Sequence, residues 1–151
     1  GYWALPGGAM YNNETLEDGA RRELKEKTGL ENIKLELGNI FDDVNRSNLQ
    51  RMIGVSFLGV INTKGIELQK ETMKTSNADF FAIDKVPKLA YDHNLVIDKS
   101  LVILKEKILK SSILKDLLPE EFTLPELQKV YETLLNKELD RRNFRKKRKY
   151  T

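Results

Sequence analysis

Apolar positions along the chain change period several times, and each change marks an element. Leu16, Ala20 and Leu24 recur every four residues, the interval that gathers side chains on one face of a helix, so a helix of about four turns is predicted over residues 15–28. Thr15 and Asp18 form its capping box and Gly29 its stop. The preceding Tyr2-Trp3-Ala4-Leu5-Pro6-Gly7-Gly8 reads as a short buried strand entering a turn. Strand-like runs follow at 33–37 and 52–61, the second long and apolar enough to be central. The polar stretch 42–48 between them is a loop. A further strand is predicted at 78–83, ending at Asp84-Lys85-Val86-Pro87. After Tyr91-Asp92-His93 a helical period returns through Leu95, Leu101, Leu104 and Ile108, giving a helix over roughly residues 93–110.

A different organisation begins near Ser111-Ser112, the expected boundary between a domain of residues 1–110 and a segment of residues 111–151. Thr123-Leu124-Pro125-Glu126 is a capping box with proline in the first turn, and Leu127, Val130, Tyr131 and Leu134 form the apolar stripe of the helix it opens. Asn136 can end that helix in the left-handed region. Asp140 can cap a second one carrying Arg141, Arg142, Asn143, Phe144, Arg145, Lys146 and Lys147. Two short helices joined by a tight turn, the second basic, make a helix-turn-helix pattern, with Phe144 and Leu139 packing inward.

Charge sharpens this division. The net charge is only +3, but from Lys137 onward Lys137, Arg141, Arg142, Arg145, Lys146, Lys147, Arg148 and Lys149 face only Glu138 and Asp140. The rest of the chain is therefore slightly acidic, and the two parts are expected to meet different partners. The composition, 40% apolar and 32% charged over 151 residues, is that of a globular protein. No run reaches the roughly 18 apolar residues of a membrane span, and the first residues lack the regions of a signal peptide. The expectation is a cytoplasmic protein without a membrane partner. With no cysteine and a lone His93, metal chemistry falls to carboxylates, which leaves magnesium as the plausible ion.

The chemical signal lies around the first helix. Gly8 is followed after five residues by Glu14, and after seven more by Arg22-Glu23-Leu24-Lys25-Glu26-Lys27-Thr28-Gly29-Leu30. Glu23 and Glu26 are three apart and share a helix face, and position 27 closes the cluster. This pattern resembles the Nudix box, GX5EX7REUXEEXGU, with Trp3-Ala4-Leu5-Pro6-Gly7-Gly8 as the strand and turn that precede it. The resemblance implies an α/β (α+β) fold, the Nudix α/β/α sandwich. It also implies catalytic and metal-binding roles for Glu23 and Glu26, structural roles for Glu14, Arg22 and Gly29, and close ligand approach at Gly8. In the family, carboxylates on this helix hold magnesium ions that bridge a diphosphate and activate water. Here Lys27 stands where the box has its second adjacent glutamate. That change swings the local charge by two units, each pair being worth ~4 kcal/mol at about 4 Å and an effective dielectric near 20. Lys27 is expected to pair with Glu23 and partly substitute for the metal. No cofactor is expected, with magnesium implied only if the protein is an active hydrolase.

Residues 117–147 resemble the C-terminal winged-helix region of Nudix-related transcriptional regulators, as does Ala90-Tyr91-Asp92-His93. The resemblance implies a small C-terminal winged-helix-like domain. Arg141, Arg142, Asn143 and Arg145 are its candidates to face double-stranded DNA, with Lys146 and Lys147 on the phosphate backbone. A basic tail that only solvates or binds polyanions is the plainer reading. The loop holding Asp42, Asp43, Arg46 and Arg51 resembles a family segment near the ligand pocket, where Arg46 and Arg51 could pair with phosphates. His93 is either a ligand contact, its tautomer fixed by the neighbouring aspartate, or a structural histidine at a helix start. A winged helix needs a hairpin after its recognition helix, and the family has a strand before the position of Tyr2, so the sequence is expected to lack residues at its start and near its end. The function this implies is a homodimeric, ligand-responsive transcriptional regulator with a catalytically impaired sensor for a nucleotide-sugar, ADP-ribose-like or sugar effector. The alternative is a magnesium-dependent pyrophosphohydrolase acting on ADP-ribose or a related diphosphate.

Overall fold

The computed structural model describes residues 1–61, 63–110 and 123–148, apart from the side chains of 108–110 and 145–148. The chain forms two compact units, Gly1–Ser100 and Leu101–Thr151. The boundary expected at Ser111-Ser112 lies outside the described residues.

Helix α1 spans Leu16–Thr28. Its start is fixed by the reciprocal bonds of a capping box, Asp18 N to Thr15 Oγ1 at 3.2 Å and Thr15 N to Asp18 Oδ2 at 3.3 Å. Its end is fixed by Gly29, at φ 76°, whose N–H returns to the Lys25 carbonyl at 2.8 Å. Only glycine holds that conformation without strain from a Cβ. Glu17 and Asp18 in the first turn and Lys25 and Lys27 in the last complement the helix dipole.

Strands β1, Leu35–Phe41, and β2, Gly54–Gly59, pair antiparallel, and among the described residues they make a two-stranded sheet. Leu35 faces Gly59 and Leu37 faces Phe57, but Ile40 faces Val55, so the register slips between Leu37 and Ile40. The slip is built around Ser56, whose Oγ accepts from Asn39 N at 2.8 Å. Gly38 lies directly on Ser56, where a Cβ would come within 2.4 Å of its Oγ.

The strands differ from the sequence-based expectation for local reasons. Ile33 and Lys34 stay out of β1 because Arg21 Nη1 takes the Ile33 carbonyl at 2.5 Å, removing it from any ladder. Residues 2–8 form no strand: the pairing shrinks to a single parallel bridge, Trp3 to Leu89, with Ala90 N donating to Trp3 O at 2.8 Å. Leu5 N is bound to a histidine side chain instead. Residues 78–83 are irregular and enter a 3-10 turn at Ile83–Lys85. There Asp79 Oδ1 accepts from Phe80 N at 2.8 Å, so a side chain competes with sheet pairing. The segment still packs, with Phe81 edge-on to Trp3 at 4.9 Å. Helix α2 spans His93–Lys110, as the apolar period predicts.

In the second unit, α3 spans Leu124–Leu135 and α4 spans Arg141–Arg148. Thr123 and Glu126 box the start of α3, and Asn136 ends it in the left-handed region at φ 47°. Asp140 Oδ1 then caps α4 by accepting from Arg142 N (3.0 Å) and Asn143 N (2.9 Å). The turn between them is clamped by Glu132, which accepts from Leu139 N at 2.8 Å, and by Gln128, which donates to Leu139 O at 2.8 Å. Leu127, Tyr131 and Phe144 form the core, with Leu104, Leu134, Leu135 and Leu139 packed around it. The rings of Tyr131 and Phe144 meet edge-on at 5.3 Å.

Candidate ligand site on the first helix

The capped turn before α1 and the helix itself bring Gly8, Glu14, Arg22, Glu23, Glu26 and Lys27 into one cluster organised by Arg22. Its guanidinium forks onto Glu14 (Nε to Oε2, 2.8 Å; Nη2 to Oε1, 2.6 Å) and reaches Glu23 Oε1 at 2.6 Å and Glu26 Oε2 at 3.3 Å. The Tyr11 ring covers it, 3.9 Å away. Hydrogen bonds from Arg22, then from Tyr11 N (2.7 Å), hold the Glu14 pKa at about 2. The same contacts with Glu14 and Glu23 raise that of Arg22.

Glu23 is buried beneath Gly8, where a Cβ would fall 2.2 Å from its Oε1. Burial opposes its charge, but the hydrogen bond from Arg22 and the nearby Lys27 ammonium outweigh this and keep the pKa below the ordinary value. Lys27 Nζ stands 3.2 Å from Glu23 Oε2 and donates to the Gly7 carbonyl. The two observations on Oε2 differ: the ion pair is close, yet the atom is buried without an aligned hydrogen bond. The proximity governs the electrostatics, because Coulomb attraction does not require alignment. Glu26, more open, is met by Lys74 Nζ at 2.5 Å.

The resemblance to the Nudix box implies divalent metal here, and the donor set does not fit one. Each of Glu14, Glu23 and Glu26 is engaged by a cation from Arg22, Lys27 or Lys74, so the charges of the cluster cancel. Among the described residues no group of three acidic or imidazole side chains is arranged to hold an ion. Hard divalent ions need several free oxygens with a net negative charge.

The other sequence-predicted residues hold parts of the protein together. Arg46 forks onto Asp92 (Nε to Oδ2, 3.0 Å; Nη2 to Oδ1, 2.9 Å), which raises the Arg46 pKa and lowers that of Asp92. Gly54 lies under the fork, with room for no side chain, since a Cβ would sit 2.3 Å from Arg46 Nη1. Arg51 Nη1 donates to the Asp42 and Asp43 carbonyls at 2.7 and 3.0 Å and closes its own loop. His93 Nδ1 accepts from Leu5 N at 2.9 Å, tying the segment before Gly8 to the start of α2. The tautomer is thus set by a backbone N–H and not by Asp92, which is bound to Arg46. Burial lowers the His93 pKa, so the ring is neutral with its proton on Nε2. Lys74 and the pairing of Asp92 with Arg46 escape sequence reasoning, because both join segments with no shared period.

On α4, Arg141, Arg142 and Asn143 are exposed while Phe144 is buried. The side chains of Arg145, Lys146 and Lys147 lie outside the described residues. Arg142, two positions from Phe144, falls on the opposite helix face.

Comparison with known proteins adds identities to these features. Residues 1–100 match the NUDIX domain, and residues 114–150 match the NrtR DNA-binding winged helix domain. Over 150 residues the chain is 29% identical to an ADPR responsive transcriptional repressor NtrR of Acinetobacter baylyi, covering 97% of this chain and 59% of that protein. Over 98 residues it is 37% identical to an ADP-ribose pyrophosphatase of Methanocaldococcus jannaschii, covering 64% of this chain and 56% of that one. The chain therefore spans less than two thirds of the length of either relative. Among solved structures, NrtR of Shewanella oneidensis complexed with a 27mer DNA superposes with a TM-score of 0.78 at 30% identity, covering 97% of this chain and 68% of that one.

Proposed function

The chain belongs to the Nudix family, with a mixed helix-and-strand fold and a C-terminal match to a winged helix, and from that premise we propose that it is a ligand-responsive DNA-binding regulator. Its first unit recognises an ADP-ribose-like nucleotide-sugar effector and does not hydrolyse it, while α4 presents Arg141, Arg142 and Asn143 to double-stranded DNA. The observation that carries this reading is the neutralised helix face: Lys27 on Glu23 and Lys74 on Glu26 occupy the carboxylates that hydrolysis would need for a metal. A relative that responds to ADPR and a neighbour complexed with DNA support it. We further propose that the protein acts in the cytoplasm as a homodimer on a two-fold symmetric site, so that effector binding alters how two basic helices meet successive grooves. Among the described residues no helix is long and apolar enough to cross a membrane.

The rival, a magnesium-dependent pyrophosphohydrolase, draws on the identity to an ADP-ribose pyrophosphatase. A gel shift on the promoter region of the protein's own operon, with and without ADP-ribose, separates the two. The regulator forms a complex that ADP-ribose shifts while the nucleotide is recovered intact. No retarded DNA, together with magnesium-dependent cleavage of ADP-ribose, would establish the hydrolase.

A further inference from the structure

The third cation of the cluster comes from outside the box. Lys74 sits in the turn between Thr72 and Thr75, which is closed by Thr72 N to Thr75 O at 2.9 Å and Thr75 N to Thr72 O at 3.3 Å, while Lys74 N donates to Thr72 Oγ1 at 3.2 Å. Upstream, Gln69 N donates to the Thr28 carbonyl at 3.0 Å, and the Gln69 side chain lies against Gly29, 2.7 Å from where a Cβ would be. The segment is thus fastened to the end of α1 and closed into a turn that delivers an ammonium onto Glu26 from 48 positions away.

We propose that Lys74 is a second lock against divalent cations, in addition to Lys27, and that both must be removed before the helix can hold a metal ion tightly. The inference deepens the reading of a sensor that works without metal and rests on it, but it concerns cation exclusion and not DNA. Glu14, Glu23 and Glu26 are balanced by Arg22, Lys27 and Lys74. Removing the Lys74 charge leaves a single uncompensated carboxylate, too little for a hard divalent ion. Placing a carboxylate at position 27 while Lys74 remains leaves Glu26 engaged. Only the two changes together relieve Glu23 and Glu26 of both lysines and add a third carboxylate within one helical turn, so that three carboxylates face the single guanidinium of Arg22.

The test uses Mn2+ as a spectroscopic stand-in for magnesium, titrated into the full 151-residue chain and followed by loss of the free-ion paramagnetic resonance signal. Wild type, K27E, K74Q and the K27E/K74Q double variant are compared, each checked for wild-type circular dichroism and melting. Wild type and K74Q are expected to show no stoichiometric binding, and the double variant to bind at least about tenfold more tightly than K27E. A second double variant, K27E/K74M, which keeps the apolar stem, is expected to show the same gain. Tight binding by wild type, equal affinity of K27E and the folded double variants, or no binding by the latter would each overturn the proposal. None of these substitutions touches α4, so the gel shift reads the regulator proposal separately.

Discussion

The Glu14 carboxylate, forked by Arg22 and met by Tyr11 N, has a pKa of about 2 against an ordinary 4.5. A depressed folded pKa means the pair stabilises the fold fully above the unfolded value and loses that contribution as pH falls through the folded one. Urea unfolding of wild type and E14Q should therefore differ by a constant margin at pH 6–7 that shrinks below about 4.5 and vanishes near 2. A margin independent of pH would assign the pair no role in acid stability. Arg46 and Asp92 behave differently, because their side chains are only 13% and 18% exposed. Removing Arg46 leaves a largely buried carboxylate alone, and R46A should cost about 2–3 kcal/mol. G54A should destabilise by about 1–3 kcal/mol by pushing the guanidinium off its partner, and a double-mutant cycle should find the two effects less than additive. Fully additive costs would mean that Gly54 serves only its strand. Residues in the box are legible because their spacing lies within one turn and one helix. Lys74, Asp92 and the Gln69 anchor are not, because only the folded loops bring them to their partners.

Elements divide along a similar line. Every described helix carries its start or its period in neighbouring residues: Thr15 with Asp18, Thr123 with Glu126, Asp140 before α4. Local chemistry decides such ends, so the sequence predicts them closely. Strand limits depend on which backbone groups remain free, and here side chains withdraw them: Arg21 from Ile33, His93 from Leu5, Asp79 from Phe80. The basic helix adds a test of support against contact. Phe144 anchors α4 in the core of the second unit, 7% exposed, so F144A should lower stability by about 3–5 kcal/mol and weaken DNA binding with it. R142A should leave melting unchanged while weakening DNA binding. Equal melting losses in the two variants would place Arg142 in the packing and not on the DNA.

For the molecule as a whole, the uneven charge sets the expected behaviour. The basic end can release counterions from DNA, so complex formation should fall steeply with salt, and the slope should lessen by about one contact in R142A. A flat salt response would point away from phosphate binding. The winged-helix and Nudix matches cover nearly the full sequence, and the residues of the signature that first betrays the family are all engaged in packing and ion pairs here. Gly8 has no space because Glu23 fills it, Gly29 must turn left-handed to end a helix, and Arg22 knits three acids together. On the reading proposed above, a genome survey keyed to that signature would collect silent receptors alongside working hydrolases. In this chain the proposal rests on the occupants of two positions, 27 and 74, and only the first lies inside the motif being scanned.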